Sequence, residues 1–182
     1  DFGKVTPATF GYTSPLVCCI DAVLSINRRY RGFVQPRVRR FVAAFPELKS
    51  LRDFWKLSEP MATRDLALQF LGTNDERRGD LLRRLIGRLL EILSSSQGLE
   101  FEVLQSWALA QEPSGYDELG VRGIGLATFQ YLRMLLGVDT VKPDVHVRRF
   151  VEGAIGRRMA PEQVIVLMEK TARRLEVSCI AL

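Results

Sequence analysis

Apolar positions recur at helical spacing along nearly the whole chain. Leu16, Cys19, Ile20, Val23 and Leu24 follow that period. Ser14 and Pro15 in front of them are a start signal, so a helix is predicted from Pro15 to about Ile26. Pro36 opens a second predicted helix toward Phe45, with Val38, Phe41 and Val42 on one face, and Pro46 ends it. Two short helices follow, Ser50 to Leu57 and Thr63 to Leu71, with Ser50 and Thr63 as caps. The longest helical pattern runs from Asp75 to about Leu93, where Leu82, Leu85, Ile86, Leu89, Leu90 and Leu93 share one face. Glu100 to Ala110 carries Phe101, Leu104, Trp107 and Ala108 at the same spacing, and Trp107 is expected in the core. A turn from Tyr116 to Leu119 and a segment from Leu126 to Leu136 flank a glycine-rich hairpin. Helices are predicted from Asp144 to about Ala154 and from Pro161 onward, the last with Val164, Leu167, Met168, Thr171 and Leu175. No stretch alternates as a strand, and no internal repeat is present. The pattern predicts an all-α protein.

Length and composition narrow the class. The 182 residues, 47% of them hydrophobic, can bury a real core. Lys and Arg together number 26 against 21 Asp and Glu, a net charge of +5. Only Lys4, Lys49, Lys56, Lys142 and Lys170 are lysines, so arginine, which suits bidentate phosphate contact, carries most of the charge. The segment from Asn27 to Arg40 holds Arg28, Arg29, Arg31, Arg37, Arg39 and Arg40, with Tyr30 and Phe33 interleaved and no acidic residue. It reads either as a solvated basic surface or as a phosphate-contacting one, and Asn27 to Arg31 lean toward DNA. Cys18 and Cys19 sit in an apolar run and read as buried thiols; neither they nor Cys179 have metal-site spacing. No disulfide framework, signal peptide or membrane-length apolar run is seen, and Asp21 interrupts the best candidate. An intracellular protein is expected, in the cytoplasm or nucleoid if the source is prokaryotic.

The chemistry concentrates between Leu119 and Phe150. Gly120, Gly123 and Gly125 form a Gly-x-Gly turn ahead of a helix, with Leu119, Val121, Ile124 and Leu132 around it. Glycine permits close backbone approach, and free N–H groups at a helix N-terminus bind an anion. On a DNA backbone such a nest gives affinity without base information. Downstream, Asp144 follows Pro143 where a helix begins. An Asp there is either an N-cap only or a carboxylate kept ionised by free N–H groups. Such a carboxylate can stabilise positive charge on a sugar and orient an attacking water. Lys142 reads as solvent-exposed or as a phosphate contact. His146, the only histidine, reads as a ligand contact or as packing at the helix start. Arg148 and Arg149 read as DNA contacts or as partners of Glu152.

Leu-Gly-Val-Arg-Gly-Ile-Gly-Leu-Ala-Thr from Leu119 to Thr128, followed by Val-Lys-Pro-Asp-Val-His-Val-Arg-Arg from Val141 to Arg149, resembles the helix-hairpin-helix DNA glycosylase superfamily, the family of endonuclease III. The resemblance is strongest from Leu119 to Val151 and looser from Pro15 to Leu136. It implies that Asp144 is the essential aspartate and that Gly120, Val121, Gly123, Ile124, Gly125, Ala127 and Thr128 form the DNA-gripping hairpin. Leu24-Ser25-Ile26-Asn27 resembles the stretch ending in a residue inserted beside the flipped base, and Leu71-Gly72-Thr73-Asn74 the place of a second wedge. Bifunctional members carry a Schiff-base lysine where this chain has Ala127, which implies base release without efficient strand cleavage. The iron–sulfur cysteines of endonuclease III are missing.

The expectation is a two-lobed all-α fold, with a central lobe over 15–136 and a second lobe built from 1–14 and 137–182 that carries Asp144. The expected function is a monomeric base-excision repair glycosylase acting on double-stranded DNA with a damaged or mismatched base. Asp144 is catalytic, and Asn27, Arg28, Arg29, Lys142, His146 and the hairpin contact DNA. No metal or other cofactor is expected, apart from a monovalent cation the hairpin can hold, and no membrane. Tyr12, Tyr30, Phe33 and Trp55 are candidate pocket aromatics. The alternatives are a non-catalytic hairpin module that binds DNA or senses damage, and a structural helical protein.

Overall fold

The computed structural model describes residues 10–182. Among them are ten α-helices and no strand, so the all-α reading holds. The helices are α1 (Pro15–Leu24), α2 (Gln35–Ala44), α3 (Leu51–Ser58), α4 (Thr63–Leu66), α5 (Glu76–Ser94), α6 (Glu100–Ala110), α7 (Gly115–Leu119), α8 (Leu126–Leu135), α9 (Val145–Ile155) and α10 (Pro161–Leu175). Wide π-type turns at Tyr30–Val34 and Ala67–Leu71 lead into α2 and out of α4, and a short 3-10 turn, Cys179–Ala181, ends the chain.

The first helix is the centre of the molecule. Every residue from Pro15 to Leu24 is buried, as expected of a helix apolar on all sides. The Ser14 hydroxyl caps it by accepting from the Val17 N–H at 3.3 Å. α5 and α8 pack along it, with α2, α3 and α6 also in contact. One apolar core links α1 to α8 and reaches Val138. A second, smaller core joins Val141, Val151, Val164, Ile165, Met168, Ala172 and Cys179. Leu126, the first residue of α8, packs on that second core. The buried Thr140 hydroxyl donates to Glu169 Oε1 at 2.8 Å, tying the connection after α8 to α10.

Several expectations change. The arm was expected with the second lobe, but its described part packs on the first core through Phe10 and Tyr12; residues 1–9 lie outside the described residues. Asn27 to Arg40 contains a π turn before α2. Thr63 does not cap α4: Ala62 stands at that position, and the Thr63 hydroxyl donates to Glu76 Oε1 at 2.8 Å. Val42 and Leu175 are exposed because no element covers their faces; α10 instead buries Val164, Ile165, Met168 and Ala172. Trp107 is partly buried, edge-on to Phe129 at 6.1 Å, in keeping with its place in the core. No helix among the described residues is long and apolar enough to cross a membrane.

Candidate nucleic-acid interface and carboxylate site

The turn between α7 and α8 is built from glycine backbone and apolar anchors. Gly120 closes α7 in the left-handed region at φ 67°, and Gly123 follows at φ 103°. Leu119, Val121 and Ile124 are buried in the first core, and so is the Thr128 side chain. The side chains of Val121, Ile124 and Thr128 therefore anchor the turn, and only their backbone can meet a ligand. The N–H of Ile124 is bonded to Val121 O, whereas those of Gly123, Gly125, Leu126 and Ala127 have no acceptor among the described residues. They open α8 with unpaired donors, the arrangement that attracts an anion. Behind the turn, Arg84 donates to Arg122 O at 2.7 Å and Arg88 to Glu118 O at 3.4 Å. Both also pair within α5, Arg84 with Asp80 and Arg88 with Glu91, while the turn carbonyls they reach lie 38 and 30 positions away.

The basic segment divides in two. Asn27 is exposed and held at φ 52°, an uncommon conformation for a residue with a Cβ. Arg28, Arg29 and Arg31 are exposed, and no acidic partner is present for them among the described residues. Arg37 instead stacks on Phe33 at 3.8 Å and donates to Gly72 O and Phe33 O, and Arg40 donates to Gln69 O. Those two hold the Leu71 to Asn74 turn, which narrows the free basic surface to Arg28, Arg29, Arg31 and Arg39.

Arg78 of α5 fixes the Asn27 loop from beneath. Its buried guanidinium donates to the carbonyls of Val23, Leu24 and Ile26, and it pairs with Asp75 at 3.2 Å. It thus caps the C-terminus of α1, where carbonyls otherwise lack donors and a cation is favoured.

Asp144 is the N-cap of α9. Its Oδ1 accepts from the N–H groups of His146 at 2.9 Å and Val147 at 3.1 Å. Its Oδ2 takes no hydrogen bond from the described residues, and the residue is half-buried. His146 itself is exposed, and Arg148 pairs with Glu152 at 3.5 Å. Lys142 is neither solvent-free nor simply exposed. Its ammonium lies 4.3 Å from the Tyr131 ring centre and 3.4 Å from Ser25 Oγ. Burial lowers its pKa, opposed by the nearby charges of Asp144 and Asp21. Lys142 therefore joins the loop after α1 to the segment carrying Asp144.

The same corner contains Asp21, the one charged residue in the apolar run of α1. Asp21 is fully buried, and three tyrosine hydroxyls donate to it: Tyr12 at 2.6 Å, Tyr131 at 2.9 Å and Tyr30 at 3.2 Å. Of the candidate pocket aromatics, Tyr12 and Tyr30 meet here. Phe33 is covered by arginines and Trp55 packs against Gly87. Desolvation raises the Asp21 pKa and outweighs the tyrosine hydrogen bonds and Lys142, which lower it. No group of three or more metal-ligating side chains is present among the described residues.

Residues 119–182 match the profile of a family described as a domain of unknown function (DUF8548), a stretch that begins at the α7–α8 turn and includes Asp144. No curated protein and no solved structure matches the chain.

Proposed function

We propose that the chain is a DNA N-glycosylase that flips a damaged base and hydrolyses its N-glycosidic bond, with Asp144 as the catalytic carboxylate. The observation that carries this reading is Lys142, whose ammonium lies 3.4 Å from Ser25 Oγ, at the start of the loop to Asn27, and near the charge of Asp144 two residues on. One element suited to entering a duplex then lies beside one suited to acting on its sugar. The unpaired N–H groups opening α8 would take a backbone phosphate, with Arg28, Arg29 and Arg31 adding sequence-independent affinity. Asn27 would occupy the space the base leaves. The sequence resemblance to helix-hairpin-helix glycosylases supports the same assignment.

The chemistry follows from the free Oδ2. As the C1′–N bond lengthens, positive charge grows on the deoxyribose, and a carboxylate beside C1′ stabilises it. The N–H groups on Oδ1 fix the carboxylate's direction, leaving Oδ2 for the sugar or for the attacking water. Water adds to C1′, its proton passes to the carboxylate, and the base departs. Ala127 offers no amine on the first turn of α8, so the reaction stops at base release.

A second reading, a DNA-binding module without catalysis, draws on the fact that Asp144 already serves as a helix cap. The deciding experiment incubates the protein with duplexes carrying alkylated, oxidised or deaminated bases and measures free base. Release by the wild type supports the enzyme reading. Binding to every duplex with release from none supports the second.

A further inference from the structure

Of the helices with eight or more residues, α9 buries least: Val151 alone is buried. Val151 and the partly buried Val147 face the second core. Asp144 caps the start of the helix, and Gly156, at φ 75°, closes its end. On the side away from the two valines, His146, Arg149, Phe150 and Gly153 follow the i, i+3, i+4, i+7 spacing of one helical face. All four are exposed. Phe150 is 70% exposed, more than any other large hydrophobic side chain among the described residues.

The free charge here has one sign. Arg149, Arg157 and Arg158 are exposed, and no acidic partner is present for them among the described residues. Glu152, the one acid of α9, pairs with Arg148 at 3.5 Å and accepts from the Met159 N–H at 3.2 Å. Gly153 adds an independent sign. Glycine inside a helix is less stable than alanine, yet no packing requires it here, since a Cβ would meet nothing within 4 Å. The open backbone has Arg149 four residues before it and Arg157 four after. A second copy of the chain meeting this face would set arginine against arginine, which is repulsive. A polyanion with apolar sugars fits it. The face is also continuous with the candidate interface. At about 1.5 Å per residue, Arg149 stands roughly 8 Å and Gly153 roughly 14 Å along α9 from Asp144. One strand of a duplex carries a phosphate every ~3.4 Å of axis, so a strand with its sugar at Asp144 Oδ2 that follows α9 has several phosphates in that span. Asp144 therefore joins a basic loop held by the first core to a basic helix held by the second.

We infer that the outer face of α9 is a second arm of the DNA interface, which takes the strand flanking the flipped nucleotide on one side of the lesion. Arg149 and Arg157 bind its phosphates, Phe150 covers a deoxyribose between them, and Gly153 lets the strand come close to the helix. These contacts are to the backbone, so the arm adds affinity without reading sequence.

This inference rests on the proposed function for its ligand, and the experiment separates their failures. Kd is measured on a duplex carrying a tetrahydrofuran abasic analogue, at about 0.15 M salt, where a charge acts on phosphates within about 8 Å. Gly153→Glu and Gly153→Lys put opposite charges at one open position, and both residues are better helix formers than glycine, so neither should lower Tm. The Glu variant should bind more weakly than wild type and the Lys variant more tightly, the two differing by about 10-fold or more in Kd. Arg149→Ala combined with Arg157→Ala should reduce the salt slope of binding by about 2 at unchanged Tm. Trimming the duplex from one end should weaken wild-type binding, and the double variant should no longer respond on that side. Equal Kd for the two Gly153 variants, an unchanged salt slope, or a trimming response identical to wild type would overturn the inference. So would a wild type that sediments as a dimer and that Phe150→Ser converts to a monomer. Base release by the wild type, measured alongside, keeps the Asp144 reading in each of those cases. Release of no base with the charge effects intact would overturn the catalytic reading and leave the α9 arm standing. A wild type that binds no duplex would overturn both.

Discussion

Replacing Arg78 with alanine should loosen the loop that carries Asn27 and destabilise the protein. The side chain is 91% buried, and its guanidinium bonds to three carbonyls at the C-terminus of α1 while pairing with Asp75. A hydrogen bond from a charged donor contributes roughly 1.5–3 kcal/mol when its partner is otherwise unsatisfied. Asp75 is about a third exposed, so losing the ion pair itself adds only about 0–1 kcal/mol. Against this stands the desolvation of the guanidinium, which lowers its pKa and which the variant no longer bears. The net expectation is a loss of about 3 kcal/mol. With an m-value of roughly 2 kcal/mol/M for a chain of this size, the urea midpoint should fall by about 1.5 M. Urea titration followed by circular dichroism measures it, and the m-value should stay unchanged. Arg78→Lys should recover little, because one ammonium cannot span three carbonyls. A midpoint shift below about 0.3 M would show that the C-terminus of α1 does not depend on Arg78, and the account of how the loop is held would fail.

Other expectations follow from single features. Gly123→Ala places a Cβ 3.2 Å from Leu81 Cδ1 at φ 103°. It should cost about 1–3 kcal/mol, lower Tm by about 3–9 °C and weaken DNA binding; calorimetry and a binding titration check both. Changing Arg28, Arg29 and Arg31 together to alanine should reduce the salt slope of DNA binding by about 2–3 while leaving Tm nearly unchanged, since the three are exposed. The slope is read from affinities across a salt series. Asp21 also predicts the sign of a pH effect. Its folded-state pKa is raised, so the folded chain binds more protons than the unfolded one above the ordinary aspartate value. That contribution to stability is complete below that value and is lost as pH rises through the folded-state pKa. The wild-type minus Asp21→Asn difference in unfolding free energy should therefore fall with rising pH, and a rise would contradict the burial argument.

What could be read from sequence was mostly local. Ser14, Ser50 and Asp144 were recognisable as caps because a cap bonds two or three residues ahead, and each does so here. The spacing of Leu82, Leu85, Ile86, Leu89 and Leu93 sufficed for α5 because one continuous core covers that face. What stayed hidden depended on partners remote in the chain. Asp21 looked like an interruption in an apolar run, since its closest partners are nine residues before and after it and 110 residues on. Arg78 sits in an Arg-Arg-Gly-Asp stretch that reads as solvated, yet its acceptors precede it by 52 to 55 residues. Lys142 read as an open choice between solvent and phosphate because the ring it rests on belongs to α8. Thr63 has the side chain of a cap, but Glu76 of α5 competes for its hydroxyl.

The central claim is that the carboxylate of Asp144 does the chemistry rather than merely beginning α9. Asparagine keeps an oxygen able to accept from the His146 and Val147 N–H groups, so α9 and DNA affinity should survive the change while the negative charge is lost. The measurement is single-turnover base release by Asp144→Asn, on the lesion the wild type excises fastest, with DNA affinity determined on the same duplex. The account predicts release lowered by about 100-fold or more, with affinity within about 3-fold of wild type. Release at the wild-type rate would show that Asp144 is only a helix cap, and that the chemistry assigned to it belongs elsewhere.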